Sequence, residues 1–129
     1  MTWTENPQLR AMLLARAALA EKAGAEEAAA FLREKLEGAG TGNKWPGLPN
    51  TSSAPGEYPA EQSGKLLKSI DAQPMGQFWA FGSFNAPVEA FALEYPAPGR
   101  TARPWLSKML ADPDARERVM HAMWEVMRH

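Results

Sequence analysis

Apolar residues near the start of the chain recur every three or four positions. Leu9, Met12, Leu13, Ala20 and Ala23 fall on one stripe, and Ala28, Phe31, Leu32 and Leu36 on a second stripe rotated from the first. This period predicts a helical half from Thr4 to Gly38. Thr4 or Asn6 can cap its start, and Pro7 suits the first helical position, where a missing N–H is not needed. Gly24 sits where the phase changes, so a kink or break is expected there. Gly38 is the candidate C-cap. Many of the apolar positions are alanine, which favours helix but buries little area. Such a helix needs a partner surface, in its own domain or on a neighbouring subunit.

The pattern then lapses. Residues 39–59 form a long loop or arm rich in glycine, proline, serine and asparagine, a length that in a compact domain marks function or disorder. Lys44-Trp45-Pro46-Gly47-Leu48-Pro49 places large apolar groups in it. Trp45 either folds back onto its own core or, with Leu48, anchors the arm in a neighbouring protein.

A short helix is expected over Ala60–Ser69, burying Leu66, Leu67 and Ile70 at its exit. Gln73–Asn85 is the clearest strand region. Phe78, Trp79, Phe81 and Phe84 crowd between Gly76 and Pro87, with aromatic residues on both faces, so both faces call for a cover. Over Glu89–Tyr95, Ala90, Ala92 and Glu94 alternate with Phe91, Leu93 and Tyr95, which favours another strand. Pro96–Thr101 reads as a turn. Arg103–Leu110 opens the last helical segment behind Pro104. Asp112-Pro113-Asp114 then caps a second piece, whose acidic first turn suits the helix dipole. Val119, Met120, Met123, Trp124 and Met127 form its apolar stripe, read as core and also suited to a surface that repacks during assembly.

These elements predict an α+β fold: a long N-terminal helix kinked at Gly24, a short central helix, an antiparallel sheet of about three to four strands, and a C-terminal helical segment. A chain of 129 residues suits one domain. It divides into residues 4–38 (helical), 39–59 (arm), 60–101 (helix plus sheet) and 102–129 (C-terminal helices). Composition is ordinary for a globular protein, with 45% hydrophobic and 22% charged residues. A net charge of −1 offers no basic field for nucleic acid or a membrane surface. Cysteine is absent, which excludes disulfide and thiol chemistry. No secretory leader and no membrane span are expected.

Catalytic chemistry finds no foothold in the pattern. The two histidines, His121 and His129, make a structural zinc site improbable without cysteine. Glu117, His121 and Glu125 share one helix face at four-residue spacing and read as a solvated row of ion pairs. Glu89 and Glu94 do not form a carboxylate pair, and Arg100 and Arg103 are the candidates for an ion pair with Glu94 or with a neighbouring chain. No metal, cofactor or catalytic residue is expected, and no enzyme activity.

One ordered set of residues carries a family resemblance. Pro55-Gly56, Pro59, Ser63-Gly64, Leu66 and Ser69-Ile70 are followed by Leu93-Glu94-Tyr95 and then Arg103-Pro104-Trp105-Leu106. In order and spacing, over roughly residues 54 to 110, they resemble the head–tail joining or tail-completion (neck) family of long-tailed bacteriophages. The resemblance implies a structural virion protein, a ring of six or twelve copies that joins head and tail around the DNA channel. Its partners would be copies of itself, head-closure or portal-side proteins, and tail-tube or terminator proteins. DNA would be passing cargo only, and no membrane or cofactor would be involved. The protein would reside in the virion, and in the host cytoplasm during assembly. Pro96 stands where relatives usually carry glycine, Glu89 where an aromatic residue is common, and the helical half is long, which leaves the subtype open. A near-neutral charge suits a conduit, because a strongly basic lumen would hold the duplex. The alternative is a small cytoplasmic α+β protein-binding module without a virion role.

Overall fold

A 30-residue helix, α1 (Pro7–Leu36), is the element on which the rest is laid. At 1.5 Å per residue it is about 45 Å long. The computed structural model describes residues 6–37, 40, 42, 44, 46–47, 50, 53, 57–60, 64–85, 88–95, 98 and 103–128. After α1 come α2 (Lys65–Ser69), strands β1 (Ile70–Met75) and β2 (Phe78–Ser83), then α3 (Val88–Glu94), α4 (Leu106–Leu110) and α5 (Pro113–Met127). The fold is α+β, as the sequence pattern predicts.

Asn6 begins α1, its side-chain Oδ1 accepting the amides of Gln8 at 3.0 Å and Leu9 at 3.1 Å, with Pro7 behind it. The helix then runs unbroken through Gly24, which corrects the expected kink or break. The change of stripe at that point has another cause: α1 is covered on two opposite sides. At 100° per residue, Gly24, Glu27, Phe31 and Glu34 share one side, and Lys22, Ala29, Arg33 and Leu36 the other. On the first side lies α5. A Cβ added at Gly24 would stand 2.9 Å from Met123 Cγ and 3.5 Å from Val119 Cγ1, so glycine there lets the two helices approach closely. Arg118 of α5 ties the same side down, pairing with Glu27 at 2.6 Å and also with Glu34, its guanidinium 5.3 Å from the centre of the Phe31 ring.

The sheet covers the other side. Arg33 donates to the Ile70 carbonyl from Nη2 at 2.8 Å and from Nε at 3.2 Å, and Lys22 lies 5.6 Å from the Trp79 ring. Among the described residues the sheet has two antiparallel strands rather than three to four, in the register Ile70↔Ser83 to Met75↔Phe78. Gly76, at φ 62°, takes the first position of the two-residue turn between them, where a positive φ is needed. Ile70, Ala72 and Phe81 turn toward α1, while Met75 and Phe78 stay exposed, so only one aromatic face is covered.

The segment expected as a further strand is helix α3. Val88, Phe91 and Tyr95 follow each other at three and four residues, which fits a helix as well as the alternation fits a strand. The surroundings decide, because the helical form aims the Ala90 carbonyl and the Glu94 carboxylate at the next element. The core joins Phe31, Leu32 and Leu36 of α1 to Ile70, Ala90, Trp105, Met109 and Ala115.

Helix α5 starts as expected, with Asp112 Oδ1 accepting the amide of Asp114 at 3.0 Å. Its apolar stripe, however, is not all core. Val119 packs against the core and Met123 meets α1, but Met120 and Trp124 are each 62% exposed. The stripe is wider than the helix it packs on, so its outer edge faces outward. His121 lies 3.9 Å from Glu125, and Glu125 lies 3.3 Å from Arg128; Glu117 forms no ion pair with that row among the described residues.

Candidate functional site

The C-terminal pieces of the motif meet in space. Helix α3 ends at Glu94, and α4 begins after Trp105 with no capping side chain of its own. The Glu94 carboxylate fills that role from eleven residues away. Its Oε1 accepts the amides of Trp105 at 2.9 Å, Leu106 at 2.5 Å and Ser107 at 2.8 Å, and its Oε2 accepts the Ser107 hydroxyl at 2.9 Å. Burial alone would raise the Glu94 pKa, but the amides and hydroxyl outweigh it and hold the carboxyl below its ordinary value. A carboxylate also suits the positive end of a helix. The expected pairing of Glu94 with Arg103 is not formed. Arg103 donates its amide to the Leu93 carbonyl at 3.0 Å and its Nε to the Ser53 carbonyl at 3.2 Å. Arg100 lies outside the described residues.

Trp105 seals this junction. It is 5% exposed, and its indole Nε1 donates to the Ala90 carbonyl at 2.8 Å. Pro104 is half-buried, and Leu106 packs against the core. Tyr95 stands exposed with its ring 5.1 Å from that of Phe91.

The upstream motif residues shape the entry to the sheet. Gly64 takes a left-handed φ of 79° before α2, a backbone shape that favours glycine. Leu66 leans on the core and Ile70 lies in it. Between them Ser69 donates to the Leu66 carbonyl at 2.6 Å and shares a hydrogen bond with Ser83 at 2.6 Å, tying helix end to hairpin. Pro59 is buried. Next to it the Tyr58 hydroxyl donates to Asp112 Oδ2 at 3.1 Å, with Lys108 5.1 Å from its ring; burial, then Asp112, push the phenol pKa up, so it stays a donor. Pro55, Gly56, Ser63, Trp45 and Leu48 lie outside the described residues.

The motif residues that are described therefore build structure. Among the described residues no three His, Cys, Asp or Glu side chains gather where they could hold a metal ion, and no helix is long and apolar enough to cross a membrane. The polar groups at the motif are spent on caps and turns. No protein-family model, curated protein or solved structure matches the chain.

Large apolar side chains face outward on α1 (Leu9, Met12, Leu13), on α3 (Val88, Phe91) and on α5 (Met120, Trp124). Of these, the sequence pattern reads Met120 and Trp124 as core, and leaves the Leu9, Met12 and Leu13 stripe to a partner in its own domain or on a neighbouring subunit. The signal that could have separated them is the size of the chain: one small domain cannot cover a helix of 30 residues along its whole length.

Proposed function

We propose that this chain is a structural protein of the phage neck, one subunit of a ring that joins head and tail around the DNA channel. The observation that carries the reading is the outward-facing apolar surface on three helices, at residues such as Met12, Phe91 and Trp124. Exposed apolar side chains of this kind, where they gather into patches, mark protein–protein contact. The motif that suggests the family supports it further. Leu93-Glu94 and Arg103 to Leu106 act as one unit, so their joint presence in the sequence has a physical reason. The net charge of −1 suits passage of a duplex without retention.

In a ring each subunit gives up about 800 Å² to each of two neighbours, the area of a standard stable interface. Subunits identical in sequence and joined head to tail close into such rings when the rotation per step allows. The working partners are then copies of the chain, a portal-side protein and a tail-side protein, with the virion as its place.

Negative-stain imaging of the purified protein tests this. Rings of six or twelve copies are the expected result, together with unjoined heads and tails in particles made without the protein. A stable monomer or dimer, even beside its tail and portal partners, would overturn the ring and favour a small cytoplasmic binding module.

A further inference from the structure

Helix α1 outruns its partner. Antiparallel pairing sets Met123 and Val119 against Gly24 and Arg118 against Glu27 and Glu34, so α5, which ends at Met127, leaves the first turns of α1 without it. From Pro7 to Ala15 every residue is exposed. Over Pro7–Ala20 the only polar side chains are Gln8, Arg10 and Arg16. A helix apolar all round is one that something buries. A stretch this short does not span a bilayer, and it lacks the broad polar face of a helix lying on a membrane.

A matching strip lies on the same chain. On α1, Leu9, Met12, Leu13 and Arg16 follow the spacing i, i+3, i+4, i+7 on one side of the helix. On α5, Glu117, Met120, His121 and Trp124 repeat that spacing on the flank turned away from α1. Leu9, Met12 and Leu13 are 51%, 65% and 52% exposed, and Met120 and Trp124 62% each. The charge stands at the C-terminal end of the first strip and at the N-terminal end of the second. Antiparallel docking alone sets Arg16 against Glu117, Met12 and Leu13 against Met120 and His121, and Leu9 against Trp124. Neither Arg16 nor Glu117 has a charged partner among the described residues. The docked helix would also extend the side of α1 that its own α5 covers one stretch further on.

We propose that the first turns of α1 dock antiparallel on the outer flank of α5 of a second copy, with Arg16 of one chain paired to Glu117 of the next. The two strips differ, so the contact is head to tail and propagates from copy to copy. It deepens the ring reading above and rests on it for closure alone.

The chain has no cysteine, so paired cysteine variants report the contact cleanly. Leu9→Cys combined with Trp124→Cys should give, on oxidation, a ladder of disulfide-linked multimers. A mixture of the two single variants should show mixed dimers. In sedimentation, Arg16→Glu or Glu117→Arg alone should shift the mass toward monomer, and the two together should restore it. Leu9, Glu117 and Trp124 are exposed and Arg16 is half-buried, and circular dichroism checks that each variant is folded. If the wild type forms rings but neither the ladder nor the charge rescue appears, the contact is overturned and the ring stands. A ladder with open filaments keeps the contact and overturns the ring. A wild type that stays monomeric at its highest soluble concentration overturns both; if that monomer cosediments with phosphatidylglycerol vesicles, the strip belongs to a membrane surface.

Discussion

The carboxylate of Glu94 accepts the backbone amide of Leu106 at 2.5 Å, with the amides of Trp105 and Ser107 on the same oxygen. One side chain from the end of α3 thus closes the start of α4. Removing it by Glu94→Ala leaves three amides short of a partner, and stability should fall by about 1–3 kcal/mol. Chemical denaturation measures this. An unchanged midpoint would show that water replaces the carboxylate without cost.

The same group sets a pH dependence. The pKa of Glu94 is lowered from the ordinary 4.5 in the folded chain, where amide and hydroxyl bonds outweigh burial. Its contribution is therefore complete above pH 4.5 and is lost as pH falls through the lowered value. Glu94→Gln should be less stable than the wild type by about 1 kcal/mol at neutral pH. That difference should shrink as both are acidified below pH 4.5. A difference that holds constant through the acid range would remove the charge from the explanation.

Trp105 joins the two halves of the same junction through its burial and its bond to the Ala90 carbonyl. Trp105→Ala should cost about 3–5 kcal/mol and reduce the soluble yield. Trp105→Phe keeps much of the volume but leaves the carbonyl without its donor, so it should cost less. Equal losses from the two would mean that the indole N–H, rather than the packing, holds the site.

Gly24 tests the close approach of α1 and α5. Gly24→Leu drives a side chain into Met123, and overpacking of this kind costs about 1–3 kcal/mol. Gly24→Ala presses on a flexible methionine while gaining helix propensity of about 1 kcal/mol, so its net effect should be small. A stable Gly24→Leu variant would mean that α5 is free to move off α1.

Much of the backbone plan was legible in the sequence. Asn6-Pro7 and Asp112-Pro113-Asp114 mark helix starts because each brings a side-chain acceptor and a residue that needs no donor. The hairpin is a correction: Gln73–Asn85 reads as one strand region, but the chain turns at Gly76 and the strands on either side pair with each other. The misread places are those where local rules tie. Over Val88–Glu94 the strand and helix periods fit equally well, and Ala90 and Glu94 are settled only by bonds to Trp105 and Leu106 far along the chain. Gly24 looked like a break because sequence does not show that α5 presses on it.

Sequence by itself determined where α1 and α5 begin, since the caps and prolines at Asn6-Pro7 and Asp112-Pro113 act on their nearest neighbours. It determined as well that cysteine chemistry is absent and that the charge is nearly balanced. Only the tertiary structure decided which apolar residues are core. Met123 and Trp124 stand side by side in one stripe, and one meets α1 while the other faces outward. A stripe specifies that a surface seeks a cover; the width and length of the partner, set by the rest of the chain, decide how much of it is covered.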